Sequence, residues 1–268
     1  MKKYELTNET ITISNGKTLH RIRALMDIEA NGVKIGDLGG YVEKEENLSH
    51  EGDAWVCGDS MVYGDARVFG NVKIYGDARV YDNAKVFGDA WVGGNAKVFG
   101  YAKVYGDAEV CGAAGIFDNA WVSGDARVYD NAKVYDSARI FDCARVFNNT
   151  GIFGNAWVGD NAMIGGNASI CGDAWVSGYA VVNGDAWISG DAEINKSTHV
   201  LIIGPIGSRD DTTTFFRTKE NIIKVVCGCF YGTIDEFLAK VELTHGDNKY
   251  GQVYRIAAEL AKAQIELE

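Results

Sequence analysis

From residue 56 to residue 194 a branched aliphatic side chain returns at every sixth position. Val56, Val62, Val68 and Ile74 open the series and Ile194 closes it, twenty-four stops in all, each Val or Ile. Two residues before each stop stands Ala, as at Ala54, Ala66 and Ala78, with Ser60, Val72 and Thr150 the exceptions. In an extended chain alternate side chains share a face, so the Ala and the aliphatic point one way and their neighbours the other. The pair that follows is Gly or Asp and then Asp or Asn, which accepts positive φ and turns the chain at low cost. The pattern predicts a coil of three short walls with eighteen residues per turn, hence about 8 coils and a rod roughly 38 Å long at ~4.8 Å strand spacing. No hexad can bury its apolar face alone; only stacked coils do so.

The outward positions form columns at steps of eighteen. One column reads Tyr63, Tyr81, Phe99, Phe117, Tyr135 and Phe153, with Arg79, Lys97 and Lys133 beside it. A second wall carries Phe69, Phe87, Tyr105 and Phe141, flanked by Arg67, Lys85, Lys103, Trp121, Arg139, Trp157 and Trp175. Stacked aromatics stabilise neighbouring strands. A contiguous apolar stripe of that length also suits burial against another surface. The six-ring column is therefore the expected interface of a homo-oligomer, a dimer or trimer.

The repeated phrase, written Val-Tyr-Gly-Asp-Ala-Arg and its variants, resembles the hexapeptide repeat of left-handed parallel β-helix proteins. The likeness covers a little over half the chain. The left hand is implied by that resemblance alone, and against the usual right-handed crossover preference. Gly39-Gly40-Tyr41-Val42-Glu43, Asn47-Leu48-Ser49, Gly207-Ser-Arg, Gly228-Cys-Phe and Thr244-His-Gly resemble the flanking segments of uncharacterised bacterial and phage members. Many hexapeptide proteins are acyltransferases that use a His base and loops inserted between coils. Here the hexads run uninterrupted, and no histidine lies between His50 and His199. An imidazole is the usual base at neutral pH, so no catalytic residue is assigned.

Residues 1–50 read as a β-rich N-terminal cap over the open end of the rod, 51–200 as the β-helix, and 201–268 as a small C-terminal α+β domain. In the cap, strands are expected to flank an Asn15-Gly16 turn, with Leu19, Ile22 and Leu25 buried. Gly36 to Gly40 reads as a turn. At the other end Pro205, lacking an N–H, is expected to end strand pairing. Thr233 and Glu236 form a capping box for a helix carrying Phe237, Val241 and Leu243 and stopping at Gly246. A last helix over about 250–266 is expected to bury Val253, Ile256, Ala257, Leu260 and Ala261.

The net charge is −11, and residues 51–198 hold 11 basic against 19 acidic side chains. That sign excludes a general nucleic-acid binder. With no long apolar run and no leader pattern, a cytoplasmic protein away from membranes is expected. Cys57, Cys111 and Cys171 point outward without partners, which suits a reducing compartment.

The C-terminal domain holds the candidate ligand site: Ser208, Arg209, Asp210 and Thr212 on one loop, Cys229 and Phe230 entering a helix N-terminus, and His245 closing that helix. A helix start favours anions, so a nucleotide or another small anion is the expected ligand. A metal held by Cys227, Cys229 and His245 is short of ligands, and a Cys229–His245 nucleophile pair lacks a third orienting group. No cofactor or metal is assigned. The function expected is that of a non-enzymatic binding or scaffolding solenoid presenting this domain to a ligand or protein partner. The phage likeness implies a counter-defence version that masks a host protein or sequesters a nucleotide signal. An acyl-CoA-dependent acyltransferase and a self-assembling filament are the alternatives.

Overall fold

A computed structural model describes residues 2–267. It is mainly β: a three-faced parallel solenoid of about nine turns between an N-terminal strand region and a small C-terminal unit of sheet and helices. Three N-terminal strands, β1 (Tyr4–Thr12), β2 (Thr18–Ala24) and β3 (Leu38–Val42), precede twenty-four two-residue strands, from β4 (Trp55–Val56) to β27 (Glu193–Ile194). Every third strand pairs in parallel, so Val56 lies on Ile74 and Val92 on Val110, and the inward Ala and aliphatic positions are fully buried.

The corners follow from backbone chemistry. Gly88 sits at φ 78°, and where a hexad begins with Asp the same left-handed conformation recurs, as at Asp82 (58°) and Asp130 (59°). Asn and Asp side chains bridge successive corners: Asn131 Nδ2 donates to Asn149 Oδ1 (3.2 Å), Asn149 to Asn167 (3.0 Å) and Asn167 to Asp185 (2.8 Å).

Outside the strand ladders, backbone N–H groups of each coil donate to carbonyls of the next, as Trp55 to Val72 (2.9 Å), while corner Asp side chains accept from the following coil, as Asp136 from Gly154 N (3.0 Å). The first and last coils therefore leave backbone groups that the flanking segments must pair. The N-terminal segment supplies donors. Tyr41 N reaches Ser60 O (2.9 Å), and Asn47 Nδ2 reaches Gly64 O (3.0 Å) and Ala66 O (2.9 Å). The buried Lys3 Nζ reaches Gly52 O (3.0 Å) and Ala54 O (2.8 Å). The C-terminal end supplies acceptors, one per face: Ser197 Oγ for Val181 N (3.1 Å), Thr214 Oγ1 for Trp187 N (3.1 Å) and His199 Nδ1 for Asn195 N (3.4 Å). Each end is closed in part by side chains that pair its backbone groups, since buried backbone groups must be paired.

The N-terminal segment contributes more of the rod than the repeat suggests. Val42 pairs with Val62 and Leu48 with Val68, adding an irregular coil before the first regular hexad. Gly39 and Gly40 lie in β3, not in a turn. A Cβ on Gly39 would fall 2.6 Å from Val56 O, and one on Gly40 would fall 2.5 Å from Ser60 O, so only glycine lets β3 close on the core. The expected buried set is corrected at Leu25, which is 37% exposed while Ala24 is buried in its place. A register shift between Arg21 and Arg23 displaces the alternation.

The C-terminal unit is an antiparallel sheet of β28 (Val200–Ile206), β29 (Asp211–Arg217), β30 (Ile223–Cys227) and β31 (Phe230–Thr233), followed by α1 (Ile234–His245) and α2 (Lys249–Gln264). Its strands alternate between two cores. Phe216 and Val226 continue the rod core, whereas Phe215 and Val225 pack on the helices. The sheet is thus a lid on the rod, tied down further by Lys224 to Asp191 (2.7 Å). Pairing skips Gly204-Pro205 but resumes at Ile206 with Asp211, so Pro205 interrupts the ladder rather than ending it. The capping box forms, with Thr233 N donating to Glu236 Oε2 (2.8 Å). Two helix faces are corrected. Leu243 is 81% exposed, and in α2 Val253, Ile256 and Leu260 face out while Tyr254, Ala257, Ala258 and Ala261 are buried. No helix among the described residues is long and apolar enough to cross a membrane.

Candidate functional site

The loop between β28 and β29, the hairpin joining β30 to β31 and the C-terminal half of α1 meet at an open cleft of about 250 Å3. Gly207, at φ 75°, starts the loop, and the Tyr254 hydroxyl lies where its Cβ would stand, so a larger residue would push the loop off α2. The hairpin turns at Gly228 (φ 58°), pairing Cys227 with Phe230. That places Cys229 at a hairpin tip, with Phe230 opening β31. The helix starts only after Thr233, so the expectation that Cys229 and Phe230 enter a helix N-terminus is overturned: the turn and a fourth strand intervene.

Of the seven residues assigned from sequence, Ser208, Arg209, Cys229, Phe230 and His245 line the cleft together. Asp210 and Thr212 do not. Asp210 takes the left-handed turn position (φ 49°) and faces solvent, and Thr212 packs beside Gly204. The sequence reading missed Lys240, Val241 and Thr244, which share a face of α1 with His245, and it missed Phe237 and Tyr254 at the back. The spacing 237, 241, 244, 245 is the one available signal, since it marks a single helical face.

The walls are largely aromatic and aliphatic. Phe237 packs edge-on against Tyr254 (5.6 Å between centroids), Phe230 tilts over Phe237 (5.5 Å), and His245 tilts over Tyr254 (5.7 Å). Burial pushes the Tyr254 phenol above its ordinary range, and the adjacent Cys227 adds to the rise, so Tyr254 stays a neutral donor. Thr213 Oγ1 lies 3.2 Å from Cys227 Sγ. The rim carries Arg209, Lys240 and His245 against the single carboxylate of Asp211. Among the described residues no three His, Cys, Asp or Glu side chains gather as a metal site, so Cys227, Cys229 and His245 do not form one.

Along the rod, the six-ring column stacks at 4.9–5.0 Å with rings within 7° of parallel. Each ring is half-buried: neighbours cover the faces and solvent meets the edges. His50 stacks on Tyr4 (4.5 Å) and accepts from Lys3 N (3.2 Å), a part of the N-terminal closure. Burial pushes the thiols of Cys57, Cys111 and Cys171 up, which keeps them protonated.

Fold and repeat together define a β-helix repeat protein. The family described as YdcK beta solenoid repeat matches residues 78–94, a stretch wholly inside the rod. No curated protein matches the chain.

Proposed function

We propose that the protein is a non-enzymatic binding solenoid whose C-terminal lid holds a small organic anion in the Arg209 cleft. The observation that carries this reading is the convergence of Arg209, Lys240 and His245 on the rim of an apolar pocket with one carboxylate nearby. Arg209 offers a planar fork for a carboxylate or phosphate, and Phe230, Phe237 and Val241 offer a floor for an apolar body. A volume near 250 Å3 suits a ligand of that modest size. The rod contributes rigidity, and its hexads contain no histidine.

Calorimetry with phenyl phosphate and with inorganic phosphate tests the reading. Phenyl phosphate is expected to bind more tightly, because only it fills the apolar floor, and Arg209→Gln is expected to weaken it roughly tenfold. Absence of binding to both probes, or turnover of acetyl-CoA with transfer to an amine, would reject it.

A further inference from the structure

One face of the rod carries a second concave surface, distinct from the lid. Lys85, Lys103, Trp121 and Arg139 stand in one column on four successive coils, and with the adjoining corner they enclose an open groove of about 330 Å3. Arg139 is clamped between two indoles, its guanidinium carbon 4.6 Å from the Trp121 ring centre and 4.8 Å from that of Trp157. Lys103 Nζ sits 4.2 Å from the Trp121 ring on the other side. Such stacking fixes where the cations stand and leaves the edge of the guanidinium free for a bidentate acceptor.

None of Lys85, Lys103 and Arg139 has an ion pair among the described residues, although the chain carries a net charge of −11. The residues that line the groove beside the cations, Asn83, Tyr101, Asn119 and Ser137, are uncharged, although both edges of this face carry Asp: Asp89, Asp107 and Asp125 on one, Asp82, Asp118 and Asp136 on the other. Tyr101 is 63% exposed where its column otherwise holds Asp, Asn or Ser. Of the three corner carboxylates on the groove edge, two are turned to the backbone, Asp82 accepting from Gly100 N (3.4 Å) and Asp136 from Gly154 N (3.0 Å).

We propose that this groove binds a compact polyphosphate. Arg139 takes one phosphate through its fork, Lys103 and Lys85 neutralise the next, and the corner amides and the Tyr101 hydroxyl complete the shell. Three cations in a lining that holds no carboxylate call for more than one negative charge. The carboxylates on both edges of this face keep long polyanions off the rod. The site is independent of the Arg209 cleft.

Titration calorimetry of the full chain with inorganic triphosphate at low ionic strength is the test. Saturable binding at one ligand per chain is expected, weakened about tenfold by Arg139→Gln. Lys85→Ala, at an exposed position whose loss leaves the fold untouched, is expected to weaken it about threefold. Arg209→Gln is expected to leave it unchanged. Absence of saturable heat would overturn the proposal. So would binding that Arg209→Gln abolishes while Arg139→Gln and Lys85→Ala retain it.

Discussion

At Gly88 a methyl group would force the next corner to shift: a Cβ there would come within 2.9 Å of Gly106 N and 3.1 Å of its carbonyl oxygen. Gly88→Ala adds that clash to the intrinsic cost of φ 78° for an L-residue and is expected to lower stability by about 2 kcal/mol, read as the urea midpoint. Asp82→Gly, at the same kind of corner, is expected to stay within about 1 kcal/mol of the parent. Lys3 is the other residue with an unusual demand on it. Burial pulls its ammonium from the usual 10.5 to about 8, partly offset by Asp53. Between those values the unfolded chain binds the extra proton, so stability should rise from about pH 8 to 10.5. The rise is expected to vanish in Lys3→Met, when the pH dependence of the urea midpoint is compared with that of the parent. Nothing in the sequence marks Lys3, because its role is set by carbonyls some fifty residues away.

Element by element, the short strands were legible because each repeats the same alternation, and one reading served twenty-four times. The helices were less so. A helix with apolar residues on two faces does not declare which one meets the core, and in α2 the sheet takes Tyr254, Ala257 and Ala261 because small side chains let the helix approach closely. Ile256→Glu is therefore expected to shift the melting midpoint by less than about 0.5 kcal/mol equivalent. Ala257→Glu, which buries a charge, is expected to unfold the C-terminal unit. Circular dichroism of the two variants separates the outcomes. At the opposite end, Asn47→Ala strips two carbonyls of their donor, the Ala66 bond being fully buried, and is expected to cost about 2 kcal/mol, with faster amide exchange confined to the first coils.

For the molecule as a whole, the rod was readable from its period and the candidate cleft only in fragments. Arg209, Cys229 and His245 were found as unusual polar residues in turns and at a helix end. Lys240 and Tyr254 were hidden because what joins them to the loop is a fold-level contact between α1, α2 and two hairpins. The homo-oligomer expected along the six-ring column remains a proposal, checked by light scattering. Several chains per particle are expected, falling to a single chain in Phe117→Lys, which would set a charge in the middle of the contact.

Because the ends are closed by dedicated residues and the middle is uniform, length is a free variable of this architecture. Eighteen further residues spliced between two coils would add one storey of about 4.9 Å, the spacing at which the rings of Tyr81 and Phe99 stack. Neither terminal closure would sense the change. The chain is in that sense a graduated spacer, and the distance between its two extremities is written as a count of identical phrases.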